Sequence, residues 1–199
     1  LVERGMEGCS TRDTPKKYSL RASITSELVF DDVRVPQRNM LPEARGLKAP
    51  LSCLTQARYG IAWGAIGAAL GSYKEALDFA QTRVLFGSPL THKQTIQRRF
   101  AEISRRIPTA ELLTLQLGRL KDHAKPPPAH VSMATWNTVR MRLDVAREAR
   151  DILGAGGISI EYSPIRHMLN LESVITYEGT ETIHELAVGR EICGGVNAF

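Results

Sequence analysis

One carboxylate near the end of the chain stands in a setting that suits a catalytic base. Glu178 lies between Tyr177 and Gly179, and Thr180 then begins an amphipathic stretch typical of a helix. The aromatic ring can exclude water, and the glycine lets a ligand approach the backbone. The helix start adds free N–H groups. On residues 176–180 alone, a charged side chain in a helix-entry turn remains the simpler interpretation.

Two further segments contain residues that could bind an acidic ligand. Arg83 and Phe86 lie where the first long helical pattern ends, a few residues before Gln94. They are compatible with plain helix capping, and equally with a guanidinium and a ring placed on a phosphate-bearing ligand. The glycine-rich segment 154–157 follows a helical pattern, whereas a Rossmann loop follows a strand. It is therefore interpreted as a helix stop and turn, against which a phosphate or an adenine could still rest.

Metal binding and nucleic-acid binding are both disfavoured. The five His residues show no ligand spacing, and Val188 stands where a zinc protease motif beginning at His184 needs its second His. The basic pairs at 98–99 and 105–106 have no aromatic residues interleaved, so they predict a solvated helix face.

Composition places the chain among ordinary folded domains. Of its 199 residues, 43% are hydrophobic and 24% are charged, and the formal net charge is +5. The basic excess is compatible with an acidic ligand such as a nucleotide or a CoA ester. Three widely spaced cysteines form no readable disulfide framework and favour a reducing compartment. No apolar run approaches the length of a membrane span.

Helical patterns dominate after residue 48, and strand patterns precede it. Apolar spacing predicts four long helices, at residues 50–82, from a capping box at Thr91-x-x-Gln94 onward, from the prolines 126–128 to 152, and at 180–193. In the last helix the residues expected to face inward are Ile183, Leu186, Ala187 and Ile192. Glycines at 60, 64, 67 and 71 predict tight helix or ligand packing. Alternation predicts strands at 18–22, 27–30 and 33–36, with a turn at Asp31-Asp32.

These segments occur together, in this order, in a known family. The chain resembles the C-terminal half of an acyl-CoA dehydrogenase, and within that family it looks most like the glutaryl-CoA dehydrogenases. The resemblance rests on residues 19–23, 33–36, 39–42, 57–64, 83–87, 117–122, 166–170 and 177–180. The segments 57–64 and 117–122 indicate the glutaryl branch.

The resemblance implies an α+β fold with two domains. Residues 1–48 would form the C-terminal part of a central antiparallel β-domain, and residues 49–199 a C-terminal antiparallel four-helix bundle. The N-terminal helical domain of the family would be absent from this sequence, which accounts for the few strands without partners.

The resemblance also implies a reaction. Glu178 matches the base that removes the α-proton of an acyl-CoA thioester, while the β-hydrogen leaves as hydride to N5 of FAD. Hydrogen bonds from the backbone N–H at the Glu178 position and from a flavin hydroxyl stabilise the developing enolate. In the glutaryl branch the γ-carboxylate is then lost as CO2, which yields crotonyl-CoA. The residues that bind that distal carboxylate belong to the N-terminal portion.

The matched positions form a substrate set and a cofactor set, with no metal. The substrate set consists of Gly179 and the segment Leu51, Ser52, Cys53, Leu54, Thr55, Gln56, Ala57 and Arg58. The FAD set has three parts. By resemblance, Arg83, Phe86 and Gln94 reach the cofactor across a subunit interface, and Thr180 contacts the flavin. The adenosine end is held by Asp151, Ile152, Leu153, Gly154 and Ala155. The chain departs from the family at 154–157, where the family often has Gly-Gly-Asn-Gly; this change could alter FAD affinity.

The resemblance implies electron-transferring flavoprotein as a partner and a homotetramer as the assembly, with no nucleic acid or membrane. The location would be the cytoplasm in a bacterium or the mitochondrial matrix in a eukaryote. Two alternatives remain: a dehydrogenase of another short or branched acyl-CoA, and a non-catalytic helical oligomerisation fragment. Rates with glutaryl-CoA, butyryl-CoA and isovaleryl-CoA would distinguish the first alternative from a glutaryl-CoA dehydrogenase. A yellow preparation with a flavin spectrum would favour an enzyme over the oligomerisation fragment.

Overall fold

The computed structural model describes residues 1–124 and 126–195. The chain divides into two compact units, residues 1–53 and residues 54–199. The helices are α1 (Lys48–Thr82), α2 (Gln94–His123), α3 (Pro128–Ile152), α4 (Pro164–Val174) and α5 (Glu181–Ile192), and the strands are β1 (Cys9–Asp13), β2 (Ser26–Phe30), β3 (Val84–Leu85) and β4 (Ser88–Pro89).

The first unit contains one antiparallel ribbon of two strands. Its register pairs Cys9 with Phe30 at one end and Asp13 with Ser26 at the other. The predicted strand at 27–30 lies within β2. The predicted strands at 18–22 and 33–36 are wrong: residues 18–22 form a turn in which Leu20 has φ +46°. The true partner, β1, was missed because it has no alternation of apolar residues.

The second unit is a helical bundle organised around α3, which contacts α2, α4 and α5. Alanines make the inner face of α1, and Ala65, Ala69 and Ala76 are completely buried. Small side chains let the helices approach closely. Larger residues of α2 and α3, such as Ile103 and Val145, pack around Ala69 and Ala76 in one cluster. Ala65 packs in a second cluster, which includes Leu171 and so joins α4 to the bundle.

The helix predictions hold for α1, α2, α3 and α5, but α4 was not predicted. It begins with Pro164 in its first turn, which suits the fixed φ of proline. The capping box at Thr91 is wrong. Thr91 lies in a 3-10 turn, and the N-cap of α2 is Lys93, which forms no side-chain cap hydrogen bond.

The inward face predicted for α5 is wrong, whereas the ligand packing expected as one option at the glycines of α1 stays a prediction. On α5, Ile183, Leu186 and Ile192 are substantially exposed, and His184 is the buried residue. The reason is that α5 is held to α3 through polar groups: Glu181 accepts hydrogen bonds from Trp136 and Arg140. On α1, a side chain added at position 60, 64 or 67 would meet nothing within 4 Å among the described residues, so the expected tight packing is not formed by them.

Within the described ranges, no helix has both the length and the apolar character needed to cross a membrane.

Candidate active site

The turn between α4 and α5 determines where Glu178 lies. Thr176 and Tyr177 both donate backbone hydrogen bonds to the carbonyl of Ser173, at 3.0 and 2.9 Å, so the chain turns at the end of α4. At the far side Thr180 is the N-cap of α5, and its hydroxyl accepts from the N–H of Ile183 at 3.3 Å. The predicted helix start at Thr180 is therefore correct, and Glu178 lies at the centre of a short, closed turn.

Glu178 has an unusual backbone conformation. Its φ is +54°, and that of Gly179 is +102°. For a residue with a Cβ the left-handed region costs roughly 1–2 kcal/mol. The compensating contact comes from α1, where Arg58 donates from Nε to the carbonyl oxygen of Glu178 at 2.5 Å. A hydrogen bond to a charged group contributes about 1.5–3 kcal/mol, which is enough to offset that cost.

One oxygen of the Glu178 carboxylate is left without a hydrogen bond by the residues that the structure describes. Its Oε2 is buried and has no hydrogen-bond partner among the described residues. Glu148 has a similar oxygen, but Arg99 Nε lies 3.0 Å from it. Leaving a buried acceptor without a partner costs about 1–3 kcal/mol, and groups of this kind are common where a ligand completes the site. Glu178 can therefore receive a proton without first breaking a hydrogen bond at that oxygen.

The backbone beside this carboxylate also presents an open donor. In the part of the chain that the structure describes, no backbone carbonyl accepts the N–H of Glu178. The same residue thus offers a proton acceptor on its side chain and a hydrogen-bond donor on its main chain.

Two cations and an imidazole set the electrostatics of the turn. Burial lowers the pKa of the Arg58 guanidinium, and the nearby charge of Glu178 opposes that effect. His184 is only 4% exposed, and its Nδ1 has no partner among the described residues. Burial, and then the charge of Arg58, lower the His184 pKa to about 4, so the ring is neutral at pH 7. Burial lowers the pKa of Arg142 to about 10.

Tyr177 shields the turn only in part. Its side chain is 40% exposed, and burial of the remainder raises the pKa of its hydroxyl, against the opposing charge of Arg142.

The substrate set predicted from sequence is divided between the two units. Leu51, Ser52 and Cys53 belong to the first unit and are exposed. In the second unit Leu54, Thr55 and Arg58 are half-buried, whereas Gln56 and Ala57 are exposed. The structure brings Arg58 to Glu178 and Gly179, and Gln56 accepts a hydrogen bond from Lys121 at 2.9 Å.

The first part of the predicted cofactor set lies immediately before, within and after the hairpin β3–β4. Phe86 has φ +51° and is 97% exposed, with Lys93 Nζ 6.0 Å from its ring centroid. Arg83 and Gln94 are exposed as well. These side chains are therefore open to a ligand or to a second chain.

The second part lies at the end of α3. Asp151 accepts from Arg99 at 2.5 Å and from Arg150 at 3.0 Å, and the hydrogen bond from Arg99 lowers its pKa. Ile152 and Leu153 are buried in the core, so only their backbone could reach a ligand. Helix α3 ends at Ile152, in agreement with the predicted helix stop, and the exposed residues Gly154 and Ala155 begin a 3-10 helix, Gly154–Ile158.

Sequence reasoning missed His184 and Arg142. His184 was weighed only as a metal ligand, and the described residues contain no cluster of three or more His, Cys, Asp or Glu that could hold a metal ion. The available signal was its spacing: His184 follows the N-cap Thr180 by four residues and donates its N–H to the carbonyl of Thr180. Arg142 stood in a helical pattern without any distinguishing neighbour.

Known proteins match this chain in sequence and in structure. Residues 44–193 match the family "Acyl-CoA dehydrogenase, C-terminal domain". A glutaryl-CoA dehydrogenase from Mycobacterium smegmatis, solved in complex with FADH2, is 43% identical with a TM-score of 0.96 over 100% of this chain and 51% of that one. Butyryl-CoA dehydrogenase from Megasphaera elsdenii is 31% identical with a TM-score of 0.90, over 96% of this chain and 50% of that one.

The short-chain specific acyl-CoA dehydrogenase of Rattus norvegicus mitochondria is 33% identical over 189 residues, which are 94% of this chain and 46% of the relative. The chain thus spans about half the length of the relatives it matches. Its helices, its β-hairpin and its turn with Glu178 all lie inside the matched region, and the family match alone covers well over half of the sequence. The chain therefore belongs to the acyl-CoA dehydrogenase family, of which it contains the C-terminal domain.

Proposed function

We propose that the protein to which this chain belongs is an FAD-dependent acyl-CoA dehydrogenase, with Glu178 as its catalytic base. The observation that carries the proposal is the buried Oε2 of Glu178, which has no hydrogen-bond partner among the described residues. The left-handed turn holds this oxygen in place, and family membership supplies a substrate whose α-proton needs a base.

The residues of the turn divide the chemistry between them. Glu178 Oε2 accepts the α-proton of the thioester, and the N–H of the same residue is free to donate to the thioester oxygen as negative charge develops there. His184 is neutral at pH 7, so it adds no second positive charge beside Arg58 to attract the Glu178 carboxylate. When bound, FAD supplies the acceptor for the β-hydrogen.

The predicted cofactor residues suit FAD by their chemistry. A guanidinium at Arg83 fits a pyrophosphate, and the ring of Phe86 fits a flat aromatic system. Both side chains are exposed, and Phe86 has Lys93 Nζ 6.0 Å from its ring centroid. Thr180 uses its oxygen as an acceptor for Ile183, which leaves its hydroxyl hydrogen available as a donor. The segment Asp151 to Ala155 would contribute mainly through its backbone, because Arg99 and Arg150 already occupy the Asp151 carboxylate.

Glutaryl-CoA is the proposed substrate, with oxidative decarboxylation to crotonyl-CoA. Its support is the 43% identity over the whole chain to a glutaryl-CoA dehydrogenase, against 31% to a butyryl-CoA dehydrogenase. The alternative is another short or branched acyl-CoA, which the 33% identity to a short-chain enzyme keeps open. Rates of flavin reduction with glutaryl-CoA, butyryl-CoA and isovaleryl-CoA separate the two, and a faster rate with either of the last two would reject the glutaryl assignment.

Electron-transferring flavoprotein as electron acceptor and a homotetrameric assembly are proposed on family membership. Reoxidation of the reduced enzyme by that flavoprotein and the mass of the purified protein in solution test them directly.

The assigned role of Glu178 is tested with Glu178→Gln in the full-length protein. The variant should retain its flavin but lose flavin reduction by acyl-CoA by at least about 10²–10⁴-fold, the usual contribution of general base catalysis. Glu185→Gln, at an exposed position of α5, is the matched control and should keep the wild-type rate. Flavin reduction at the wild-type rate in Glu178→Gln would reject the role of Glu178.

A further inference from the structure

Arg58 is bound to the main chain of Glu178 rather than to a side chain. Its Nε donates to the carbonyl oxygen of Glu178 at 2.5 Å, although the two residues are 120 positions apart in sequence. A carbonyl is fixed to the backbone, so this hydrogen bond restrains the peptide plane that follows Glu178. It therefore constrains the direction in which the Glu178 side chain leaves the turn.

The turn needs such a restraint because its conformation is intrinsically unfavourable. Glu178 and Gly179 both have positive φ, at +54° and +102°. A glutamate in the left-handed region is held there only when the surroundings over-determine it. Without the hydrogen bond from Arg58, the Glu178 backbone would be expected to relax towards negative φ and to carry the carboxylate away from its buried position.

Arg58 is itself held in place from two sides. On one side the hydroxyl oxygen of Thr135 on α3 lies 3.2 Å from the backbone carbonyl oxygen of Arg58 and 2.9 Å from that of Val131, so its one proton is shared between them and α1 contacts α3 at this point. On the other side the guanidinium passes close to Gly179: a Cβ built on Gly179 would lie 2.8 Å from Arg58 Nη2 and 3.4 Å from His184 Cε1. The absence of a side chain at Gly179 thus leaves room for the guanidinium, and the His184 imidazole lies beside the same space.

We propose that Arg58 is a positioning residue for the catalytic base, acting through the backbone of Glu178 rather than by binding the substrate. This inference rests on the proposed function of Glu178, and it reassigns Arg58 from the substrate set predicted from sequence. Arg58 sets the orientation of Glu178, Gly179 leaves the space for the guanidinium, and α1 contacts α3 at Thr135, beside the point from which the Arg58 side chain extends.

The test compares Arg58→Gln and Arg58→Lys with wild type in the full-length flavoprotein. Anaerobic mixing with acyl-CoA gives the limiting rate of flavin reduction and the dissociation constant of the substrate separately. A positioning role predicts a limiting rate about 10- to 100-fold lower in Arg58→Gln, with the dissociation constant changed less than about threefold, since small misplacements of a reacting group carry losses of that order. Arg58→Lys should recover part of the rate, because its ammonium can still donate to a carbonyl.

A second measurement does not depend on turnover. Hydrogen exchange of the peptide that contains residues 175–182 should be faster in Arg58→Gln than in wild type, since the turn loses its restraint. The matched control is Arg147→Gln, which removes the ion pair between Arg147 and Glu172 on the exposed side of α3 and α4. This control should change neither the rate nor the exchange of residues 175–182.

Two outcomes would overturn the inference. A larger dissociation constant of the substrate with an unchanged limiting rate would make Arg58 a substrate contact. Unchanged exchange of residues 175–182 would show that Arg58 does not restrain the turn. If Arg58→Gln does not fold, Arg58→Lys decides by the same two measurements. Failure of the proposed function has a different signature, because Glu178→Gln would then reduce its flavin normally whatever the behaviour of Arg58.

Discussion

Gly179 leaves the space that the guanidinium of Arg58 occupies. A Cβ at Gly179 would lie 2.8 Å from Arg58 Nη2, closer than side-chain carbons ordinarily approach. The residue also has φ +102°, which side chains rarely tolerate. Gly179 thus serves both the backbone of the turn and the arginine that binds the residue before it.

We expect Gly179→Ala to impair activity and stability together. The added methyl group must displace the Arg58 guanidinium and strain the backbone at positive φ. Misfit of this kind typically costs about 1–3 kcal/mol. The midpoint of thermal unfolding and the rate of flavin reduction by acyl-CoA measure the two effects, and both should fall.

The control for this substitution is Gly189→Ala. Gly189 lies inside α5, where an added Cβ meets no atom of a described residue within 4 Å. Alanine is favoured over glycine in a helix by roughly 0.5–1 kcal/mol, so this variant should be as stable as wild type or more stable. Equal effects of the two substitutions would contradict the role assigned to Gly179.

His184 should make stability depend on pH on the acid side of neutrality. Its pKa is lowered from 6.5 to about 4 in the folded protein by burial and by Arg58. Between these pH values the unfolded chain binds a proton that the folded chain does not, so stability falls as pH decreases from about 6.5 to about 4. A shift of this size corresponds to at most about 3 kcal/mol.

The measurement compares wild type with His184→Gln over that pH range. Other groups titrate there too, notably carboxylates, so the informative quantity is the difference between the two thermal midpoints at each pH. The advantage of wild type over the variant should shrink as the pH is lowered from 7 to 4 and stay constant above 7. A difference that does not change with pH would show that His184 titrates near its ordinary pKa.

Thr180 should contribute to stability through its cap on α5. Its hydroxyl accepts from the N–H of Ile183, so Thr180→Ala should destabilise the protein by about 1 kcal/mol, whereas Thr180→Ser keeps the oxygen and should lose much less. The thermal midpoints of the two variants give the comparison. If Thr180→Ser were as destabilised as Thr180→Ala, the methyl group rather than the cap would be responsible.

The sequence predicted this region well where its determinants are local. The apolar spacing of α1 and α3 and the N-cap at Thr180 depend on residues within one or two turns of each other, and those predictions agree with the structure. Strand β1 could not be predicted in this way. Its sequence has no apolar alternation, and it forms because the backbone of Ser26–Phe30 pairs with it.

The internal architecture of the site could not be read from the sequence for a related reason. Arg58 and Glu178 meet only because α1 and the turn before α5 both pack against α3, and no periodicity records a contact across 120 residues. The burial of His184 could not be predicted either, because the apolar neighbours Ile183 and Leu186 indicated a different inward face of α5. The rotation of α5 is set instead by the polar contacts of Glu181 with α3.

Gly157, in the 3-10 helix after α3, has no room for a side chain. A Cβ there would lie 2.0 Å from the carbonyl oxygen of Arg150, a backbone atom that cannot move without distorting the end of α3. We therefore expect Gly157→Ala to destabilise the protein by about 2 kcal/mol or more and to weaken its retention of FAD, because the segment from Asp151 to Ala155, which we propose contacts FAD, would shift. Gly154→Asn is the comparison. Gly154 has φ +59°, which asparagine tolerates, and no described residue lies within 4 Å of an added Cβ, so the thermal midpoint of this variant should change little. The thermal midpoint measures the change in stability, and the flavin content after gel filtration measures the retention of FAD. A Gly157→Ala variant that is as stable as wild type and keeps its full content of FAD would contradict the prediction.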